Sequence, residues 1–373
     1  MKKNSFKQKT RKIHLWLGLI SGIIVFIVAT TGALYTFKEE IQTWNQQHPK
    51  VKTQNSLLLT PSILRNIATK KFPNKEIHAI KYNGTNKAAE IIFYKDSPSY
   101  HIVLYLNPYN GKIIKISDLN TGFFHFIFEG HMYLWLPHSI GQIIVATATL
   151  LFMFLVITGI ILWYPKRNKE IKKRIWFQWK EGIKWKRKNF DLHNIIGFYT
   201  SLFALIFIIT GLVWGFPWFG YLYYKAIGGE KSMIYQEPTA FYKNKNLKNS
   251  SLSLDKAWSI MKSEYPNAQS IEIHPPLNDS TSIACNSNSE SNTLWRTDYR
   301  YFDQYSLEEK KVNHLWGQLK DADNSDKLLR MNYDIHTGAI GGLAGKIFTF
   351  LISLLIASLP ITGFLIWWGR KNK

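Results

Sequence analysis

Four long apolar runs constrain what this chain can fold into more than any other feature of its sequence. They cover residues 13–37, 138–164, 193–218 and 340–368. A helix needs about 20 mostly apolar residues to cross the roughly 30 Å hydrocarbon core of a bilayer, and each run is long enough. The 14 Trp residues fit a protein with two membrane interfaces, where amphipathic rings collect. The sequence therefore predicts an α-helical integral membrane protein with four transmembrane helices.

The basic residues are concentrated beside these runs, and their distribution predicts the orientation of the helices. The segment 165–192 carries eleven Lys or Arg residues against three acidic residues, and both chain ends are basic. Loops rich in Lys and Arg stay on the cytoplasmic side, so we expect this segment and both termini to be cytoplasmic. The net charge of +22 then reflects membrane topology, and we expect membrane lipid but no nucleic acid as a partner.

The two long segments between the runs predict small extracytoplasmic α+β domains with the same order of elements. In the first, Thr60 and Pro61 begin a helix, and four short strands follow to about residue 116. In the second, a helix begins near Ser253, and strands extend to about residue 313. The repeated order predicts an internal duplication of helix, outer domain and helix.

Seven parts are therefore expected in the chain. They are a basic N-terminus with helix one (1–37), a first outer domain (38–122), an interfacial helix with helix two (123–164), a basic cytoplasmic loop (165–192), helix three (193–218), a second outer domain (219–335), and helix four with a basic C-terminus (336–373).

Four histidines stand at matching places in the two halves. His14 and His193 open the first and third runs, and a Thr-Gly pair follows each of them after 17 residues. His131 and His336 precede the second and fourth runs, which also contain a Thr-Gly pair. In the predicted topology, His14 and His193 lie near the cytoplasmic face, whereas His131 and His336 lie near the outer face. A two-fold repeat would bring two histidines together at each level.

Two imidazoles from opposite helices of an apolar bundle are typical axial ligands of haem iron. We therefore predict two b-type haems, one at each level, that form an electron path across the membrane. The chain has one cysteine and no Cys-x-x-Cys-His motif, so the haems would be bound non-covalently. Zinc and copper sites fit less well, because they need three or four ligands in one cluster.

The sequence leaves some roles open. On the outer side, His138 and His125 remain alternatives to His131, although Pro137 interrupts the helix before His138. We expect the Thr-Gly pairs to be structural, because Gly allows helices or a flat ligand to approach closely and Thr can bond its own helix backbone. Arg11, Lys12 and Lys188 could pair with haem propionates, but we interpret them chiefly as orientation signals.

At several places the sequence resembles the PepSY-associated transmembrane family, also called iron-regulated membrane proteins. The motifs that carry the resemblance lie at residues 12–18, 130–134, 191–197, 336–338 and 361–368. The outer segments resemble PepSY modules. Characterised members of the family are similar to siderophore reductases of the bacterial inner membrane, which bind haem through helix histidines and reduce ferric siderophores in the periplasm. The resemblance places the haem ligands at His14, His131, His193 and His336.

The resemblance implies a ferric-siderophore reductase whose chemistry is electron transfer, without a catalytic acid, base or nucleophile. Some relatives carry a flavin and nicotinamide domain, whereas this chain has no Gly-x-Gly-x-x-Gly signature. We therefore expect a quinol or a separate reductase to be the electron donor. The alternative is a non-catalytic PepSY membrane protein that binds peptides or regulates an envelope protease.

Overall fold

The computed structural model of the protein describes residues 6–45, 49–165, 167, 170–240, 250–290 and 293–371. It has two compact units. The helical unit comprises Met1–Lys38, Phe123–Tyr223 and Ile335–Lys373, and the sheet unit comprises Glu39–Gly122 and Tyr224–Asp334. The two segments expected to form separate outer domains therefore belong to the same unit.

Four helices in the described residues are long and apolar enough to cross a membrane, as predicted. They are α1 (Phe6–Tyr35), α5 (His138–Trp163), α7 (Trp185–Gly215) and α12 (Gly342–Lys371). The third helix begins eight residues before His193, because the Lys and Arg residues that end the apolar run are themselves good helix formers. It ends at Gly215, since Pro217 begins a new helix.

The four long helices form a ring. α1 packs against α5 and α12, and α7 packs against the same two helices, so α1 and α7 lie on one diagonal of the bundle. Apolar residues from all four long helices meet in the middle of the ring. The buried members of this central cluster are Val25, Ala204, Ile352 and Ile356, and Phe152, Phe203 and Phe207 pack against them.

Short helices also occur along the chain, in the segments between the long helices and the strands or between two long helices. They are α2 (Lys38–Trp44), α4 (Phe123–Tyr133), α6 (Lys172–Ile175), α8 (Pro217–Ala226), α10 (Asn324–Arg330) and α11 (Asn332–Thr337). α4 lies in the segment for which the sequence predicts a helix, and it packs against α1 and α5. It ends before Pro137, because Leu134 and Trp135 take left-handed φ values of 54° and 57°.

The sheet unit contains one antiparallel sheet of eight strands. The strands are β1 (Ile77–Tyr82), β2 (Ala89–Asp96), β3 (Ser99–Leu106), β4 (Ile113–Asp118), β5 (Ser270–His274), β6 (Ile283–Asn288), β7 (Asp298–Phe302) and β8 (Glu309–Lys310). Their order is β4-β3-β2-β1-β5-β6-β7-β8, so the two segments join where β1 pairs with β5. At this seam Ile80 lies opposite Ile273, and Lys81 lies opposite Glu272.

Two helices cover one face of the sheet, α3 (Pro61–Lys71) and α9 (Ser250–Glu264). One apolar core beneath them contains fully buried residues from both segments, including Leu64, Ile80, Leu254 and Ile273. The helices are also linked by Asp255, which accepts hydrogen bonds from the amide and hydroxyl of Ser62 at 2.8 and 2.6 Å. Burial across the seam stabilises both segments together, and this gives the sheet unit a shared core.

A fully buried carboxylate, Asp326, anchors the second segment. It caps α10 with Asp323, accepts a hydrogen bond from the Tyr224 hydroxyl, and pairs with the Lys231 ammonium at 2.8 Å. Burial opposes its ionisation, but the bonds from Lys231 and Tyr224 hold its pKa below the ordinary value of 3.8. Its stabilising effect is therefore fully present above pH 3.8 and is lost as the pH falls through the lower folded-state pKa.

We expect Asp326→Ala to lower the free energy of unfolding of the sheet unit by about 3 kcal/mol, because Lys231 is left partly buried without its counter-ion. Urea denaturation of the detergent-purified chain near neutral pH, followed by limited proteolysis, measures the effect. Asp279→Ala removes an exposed carboxylate and serves as the control. Equal stability of the two variants would contradict this role of Asp326.

Candidate functional site

The helical unit brings the four predicted histidines together in two pairs. His14 on α1 and His193 on α7 have ring centres 6.4 Å apart, with their planes at 80°. His131 on α4 and His336 on α11 have ring centres 6.1 Å apart, with their planes at 65°. A metal ion bound to one nitrogen of each ring at about 2 Å would separate the ring centres by about 6 Å. Both pairs therefore have the ring-centre spacing expected when one metal ion lies between two imidazoles.

Three of the four histidines are held by a threonine hydroxyl from another helix. The Nδ1 atom of His14 lies 2.9 Å from the Thr158 hydroxyl, and that of His193 lies 2.9 Å from the Thr362 hydroxyl. The Nδ1 atom of His336 lies 2.8 Å from the hydroxyl of Thr210. These threonines belong to three of the four Thr-Gly pairs, so these pairs orient a histidine in addition to the helix packing that the sequence predicted.

The direction of these hydrogen bonds decides which ring nitrogen can bind a metal. The Thr158, Thr210 and Thr362 hydroxyls donate to backbone carbonyls four residues earlier, at 2.7, 2.7 and 3.0 Å. Each hydroxyl therefore accepts from the histidine, and Nδ1 carries the proton. The neutral ring then keeps its lone pair on Nε2, which is the tautomer that a metal ligand needs.

His131 is bound in a related way. Its Nδ1 atom lies 2.9 Å from the Val28 carbonyl oxygen and 3.5 Å from the Thr31 hydroxyl. A carbonyl oxygen can only accept, so the proton again lies on Nδ1. The fourth Thr-Gly pair thus contacts the fourth histidine, but the backbone of α1 provides the shorter bond.

The glycine of each pair lies against the ring, and at Gly32 and Gly363 a side chain would crowd it. A Cβ atom would lie 2.9 Å from the Cε1 atom of His131 if added at Gly32, and 3.2 Å from that of His193 if added at Gly363. The corresponding distances are 3.4 Å at Gly159 and 3.5 Å at Gly211, to His14 and His336. A Thr-Gly pair is therefore a cradle: Thr orients the imidazole, and Gly lets it lie against the helix.

The spacing of 17 residues now has a structural meaning. α1 carries His14 of one pair and the Thr31-Gly32 cradle of the other, and α7 carries His193 and the Thr210-Gly211 cradle in the same way. With a rise of 1.5 Å per residue, 17 residues separate the two levels by about 25 Å along each helix. The spacing thus sets the distance between the histidine pairs.

A large cavity contains the first pair. Its volume is about 1490 Å³, above the roughly 300–1,000 Å³ of an ordinary small-molecule site. Residues of all four long helices line it, with His14 and His193 on its wall. One end reaches the central apolar cluster at Val25 and Ala204, and the other end is rich in Lys and Arg side chains.

The second pair lies among aromatic side chains. The ring of His336 contacts Trp214 and Phe207, with ring centres 5.4 and 6.0 Å apart. The turn after His336 depends on Gly338, which has a φ of +76°. A Cβ atom added at this residue would lie 2.3 Å from the Thr349 hydroxyl. This turn places α11 beside the start of α12.

The other candidate histidines do not join a pair. His138 stacks on Tyr133 with ring centres 3.9 Å apart, and its Nε2 atom lies 3.1 Å from the Glu129 carboxylate. His125 is half-buried on α4. Of the three histidines considered for the outer level, the structure brings only His131 to His336.

The donor set fits haem iron on two observations. Each pair presents two imidazoles at axial spacing, and each imidazole is fixed in the tautomer that leaves Nε2 free of its proton. In the described part of the chain, no three or more His, Cys, Asp or Glu side chains are grouped so that they could hold a metal ion. A macrocycle supplies the remaining four ligands itself, and so needs only the two imidazoles.

We expect Thr362→Val to weaken haem binding at the first pair by about 10- to 100-fold, because His193 loses the acceptor that fixes its tautomer and orientation. Titration of the apoprotein with haem, followed by visible absorption, measures the affinity. Thr43→Val changes an exposed threonine of α2 and is the control. Unchanged affinity in Thr362→Val would show that the hydroxyl does not support a ligand.

A comparison with protein families shows a match that covers nearly the whole chain. The model of the PepSY-associated TM region matches residues 11–370, and this range includes all four histidines of the two pairs. A search of curated proteins found no match. The four long apolar helices agree with a transmembrane family. This chain is a membrane protein and belongs to the PepSY-associated TM region family.

Proposed function

We propose that this protein is a dihaem electron-transfer protein that reduces ferric siderophores at the outer face of the bacterial inner membrane. The observation that carries the proposal is the pair of bis-histidine sites, with ring centres 6.4 and 6.1 Å apart. His14 and His193 would hold one b-type haem, and His131 and His336 the other. A bound haem supplies one-electron transfer through the ferric and ferrous states of its iron.

The residues of the chain would prepare both sites for this chemistry. The threonines orient the four imidazoles, and the glycines keep the rings close to their helices. The apolar central cluster, which includes Phe152, Phe203 and Phe207, would limit the access of water between the two levels. Fixed ligands limit the rearrangement that accompanies a change of charge, and this favours fast electron transfer.

Siderophore reduction would release iron without an acid, a base or a nucleophile. The hard oxygen ligands of a siderophore hold ferric iron much more tightly than ferrous iron, so one electron is enough to weaken the complex. The proposal of this reaction draws on the resemblance to siderophore reductases and on the two histidine pairs at different levels of the bundle. A quinol or a separate reductase would supply the electrons.

The charge distribution supports the orientation that this function needs. The segment 165–192 and both ends of the chain are basic, which favours a cytoplasmic location for them and for the His14–His193 level. The His131–His336 level and the sheet unit would then be on the outer side. The same order of elements in the two halves of the sheet, one helix followed by four strands, supports an internal duplication.

One observation favours a second function, peptide binding by the sheet unit without catalysis. β4 is an edge strand of the sheet, and its Ile113, Ile114 and Ile116 side chains are exposed. An exposed edge can accept an extended peptide as an additional strand. A protein of this kind could regulate an envelope protease and would need no haem.

We expect the detergent-purified protein from haem-sufficient cells to contain two haems per chain, with a low-spin b-type spectrum after reduction by dithionite. Replacing His14 and His193 together with Ala removes two ligands from one site, so the haem content should fall to one. Replacing His131 and His336 should have the same effect, whereas His138→Ala should retain two haems. A colourless wild-type protein, or unchanged haem content in the first variant, would contradict the assignment.

We expect a ferric siderophore to reoxidise the dithionite-reduced protein under anaerobic conditions, with ferrous iron trapped by a colorimetric chelator. Replacing His131 and His336 with Ala should slow the reaction at least tenfold, because the site nearer the outer face is lost. A redox-inactive gallium siderophore is the control, since it should leave the protein reduced. Equal rates with the ferric and gallium complexes would exclude siderophore reduction.

A further inference from the structure

The cavity that contains His14 and His193 is strongly polar at one end only. Eight Lys and Arg side chains line it: Lys7, Arg11, Lys12, Arg167, Lys173, Arg174, Arg187 and Arg370. Two acidic residues, Glu170 and Asp191, also line it. The opposite end is formed by apolar residues of the central cluster, such as Val25 and Phe152. The cavity therefore suits an amphiphilic ligand with negative charge at one edge.

Some of these cations already have partners within the helical unit. Arg187 pairs with Asp191 at 3.0 Å, and Arg174 lies 3.8 Å from Glu170 and donates to the carbonyls of Leu162 and Trp163. Lys7 donates to the Tyr164 carbonyl at 2.6 Å. These three side chains therefore already form ion pairs or hydrogen bonds with other residues of the helical unit.

Arg11 and Arg370 differ from these engaged cations in their position relative to the histidines. Arg11 precedes His14 by three residues and so lies on the same face of α1, one turn away. Gly363 of α12 lies beside His193. Arg370 comes seven residues later, which is two turns along the same face of the helix. α1 and α12 are neighbours in the ring. The two guanidiniums thus line the cavity on the same side of the histidine pair.

We propose that Arg11 and Arg370 form a carboxylate-binding site that fixes the orientation of the porphyrin held by His14 and His193. This inference rests on the proposed function. The two propionates of the macrocycle would lie at the basic end of the cavity, and its apolar edge would point to the central cluster. Guanidinium groups suit this role, because their planar donors match a carboxylate in a bidentate arrangement.

This orientation has a consequence for electron transfer. The apolar edge of the porphyrin would be directed to the second level, about 25 Å away along α1. The charged edge would be turned to the basic end, where its carboxylates stay near the solvent-exposed Arg11 and Arg370 side chains. From the sequence, Arg11 is expected chiefly to be an orientation signal; its place on the cavity wall would give it a ligand as well. Lys12, the second cation considered from the sequence, also lines the cavity, whereas Lys188, the third, lies over the Trp179 ring at 5.7 Å.

The test compares haem with its dimethyl ester, which has the same ring and iron but no free carboxylates. The parent is the full chain with His131→Ala and His336→Ala, so that only the site under study remains. Apoprotein in detergent is titrated with each porphyrin, and the low-spin spectrum reports binding. Arg11→Gln with Arg370→Gln is the test variant. Lys180→Gln with Lys184→Gln removes the same charge from exposed residues that do not line the cavity.

We expect the parent to bind haem about tenfold more tightly than the ester, as two partly exposed ion pairs allow. The test variant should bind haem about tenfold more weakly and the ester as before, whereas the control variant should match the parent. Equal affinity of the parent for both porphyrins, or an equal loss for both in the test variant, would overturn the carboxylate site and leave the haem assignment intact. A parent that binds neither porphyrin would overturn both.

Discussion

The hydrogen bond between a threonine hydroxyl and the Nδ1 atom of a histidine on another helix is the interaction on which the helical unit depends. Apolar packing between membrane helices is weakly directional, because lipid tails are as apolar as the side chains that replace them. A bond of 2.8–2.9 Å between two helices, as at His14, His193 and His336, fixes their rotation and their relative height. Through these bonds the bundle and the candidate site acquire their geometry together.

The cradles also explain why four small motifs recur in the apolar runs. Each Thr uses its proton within its own helix and its lone pair on a histidine, so one hydroxyl satisfies a backbone carbonyl and an imidazole at once. Serine could form the same bonds, but its χ1 angle is less restricted than that of a β-branched residue. The combination of a stiff hydroxyl and an adjacent residue without a side chain therefore suits a ring that must remain in one orientation.

The sequence predicts the helices and the four paired histidines, because apolar length and repeated spacing are local properties of the chain. It does not predict which Thr meets which His, since Thr158 and His14 are neighbours only through the order of helices in the ring. The choice of His131 over His138 depends on the left-handed turn at Leu134 and Trp135, where neither residue type signals such a conformation. The sequence also does not predict that α7 begins at Trp185. The apolar run stops at the first charged residues, whereas the helix continues through them.

In the two outer segments, the sequence likewise predicts the individual strands but not the pairing between distant strands. Turn residues and alternating patterns predict the individual strands, and the bounds found for β1 to β4 lie close to those expected. The pairing of β1 with β5 joins residues far apart in the chain, and both strands also have partners in their own segment. Two separate domains and one continuous sheet are therefore equally compatible with the pattern, and only the shared core distinguishes them.

The seam between β1 and β5 also imposes an order on biogenesis. Ile80 and Ile273 are about 190 residues apart, so the ribosome completes β1 long before its second partner exists. During that interval α5 and α7 must be synthesised, and one edge of β1 stays open to strands of other chains. A nascent half-sheet of this kind is a natural substrate for a chaperone that shields β-edges until the second segment arrives.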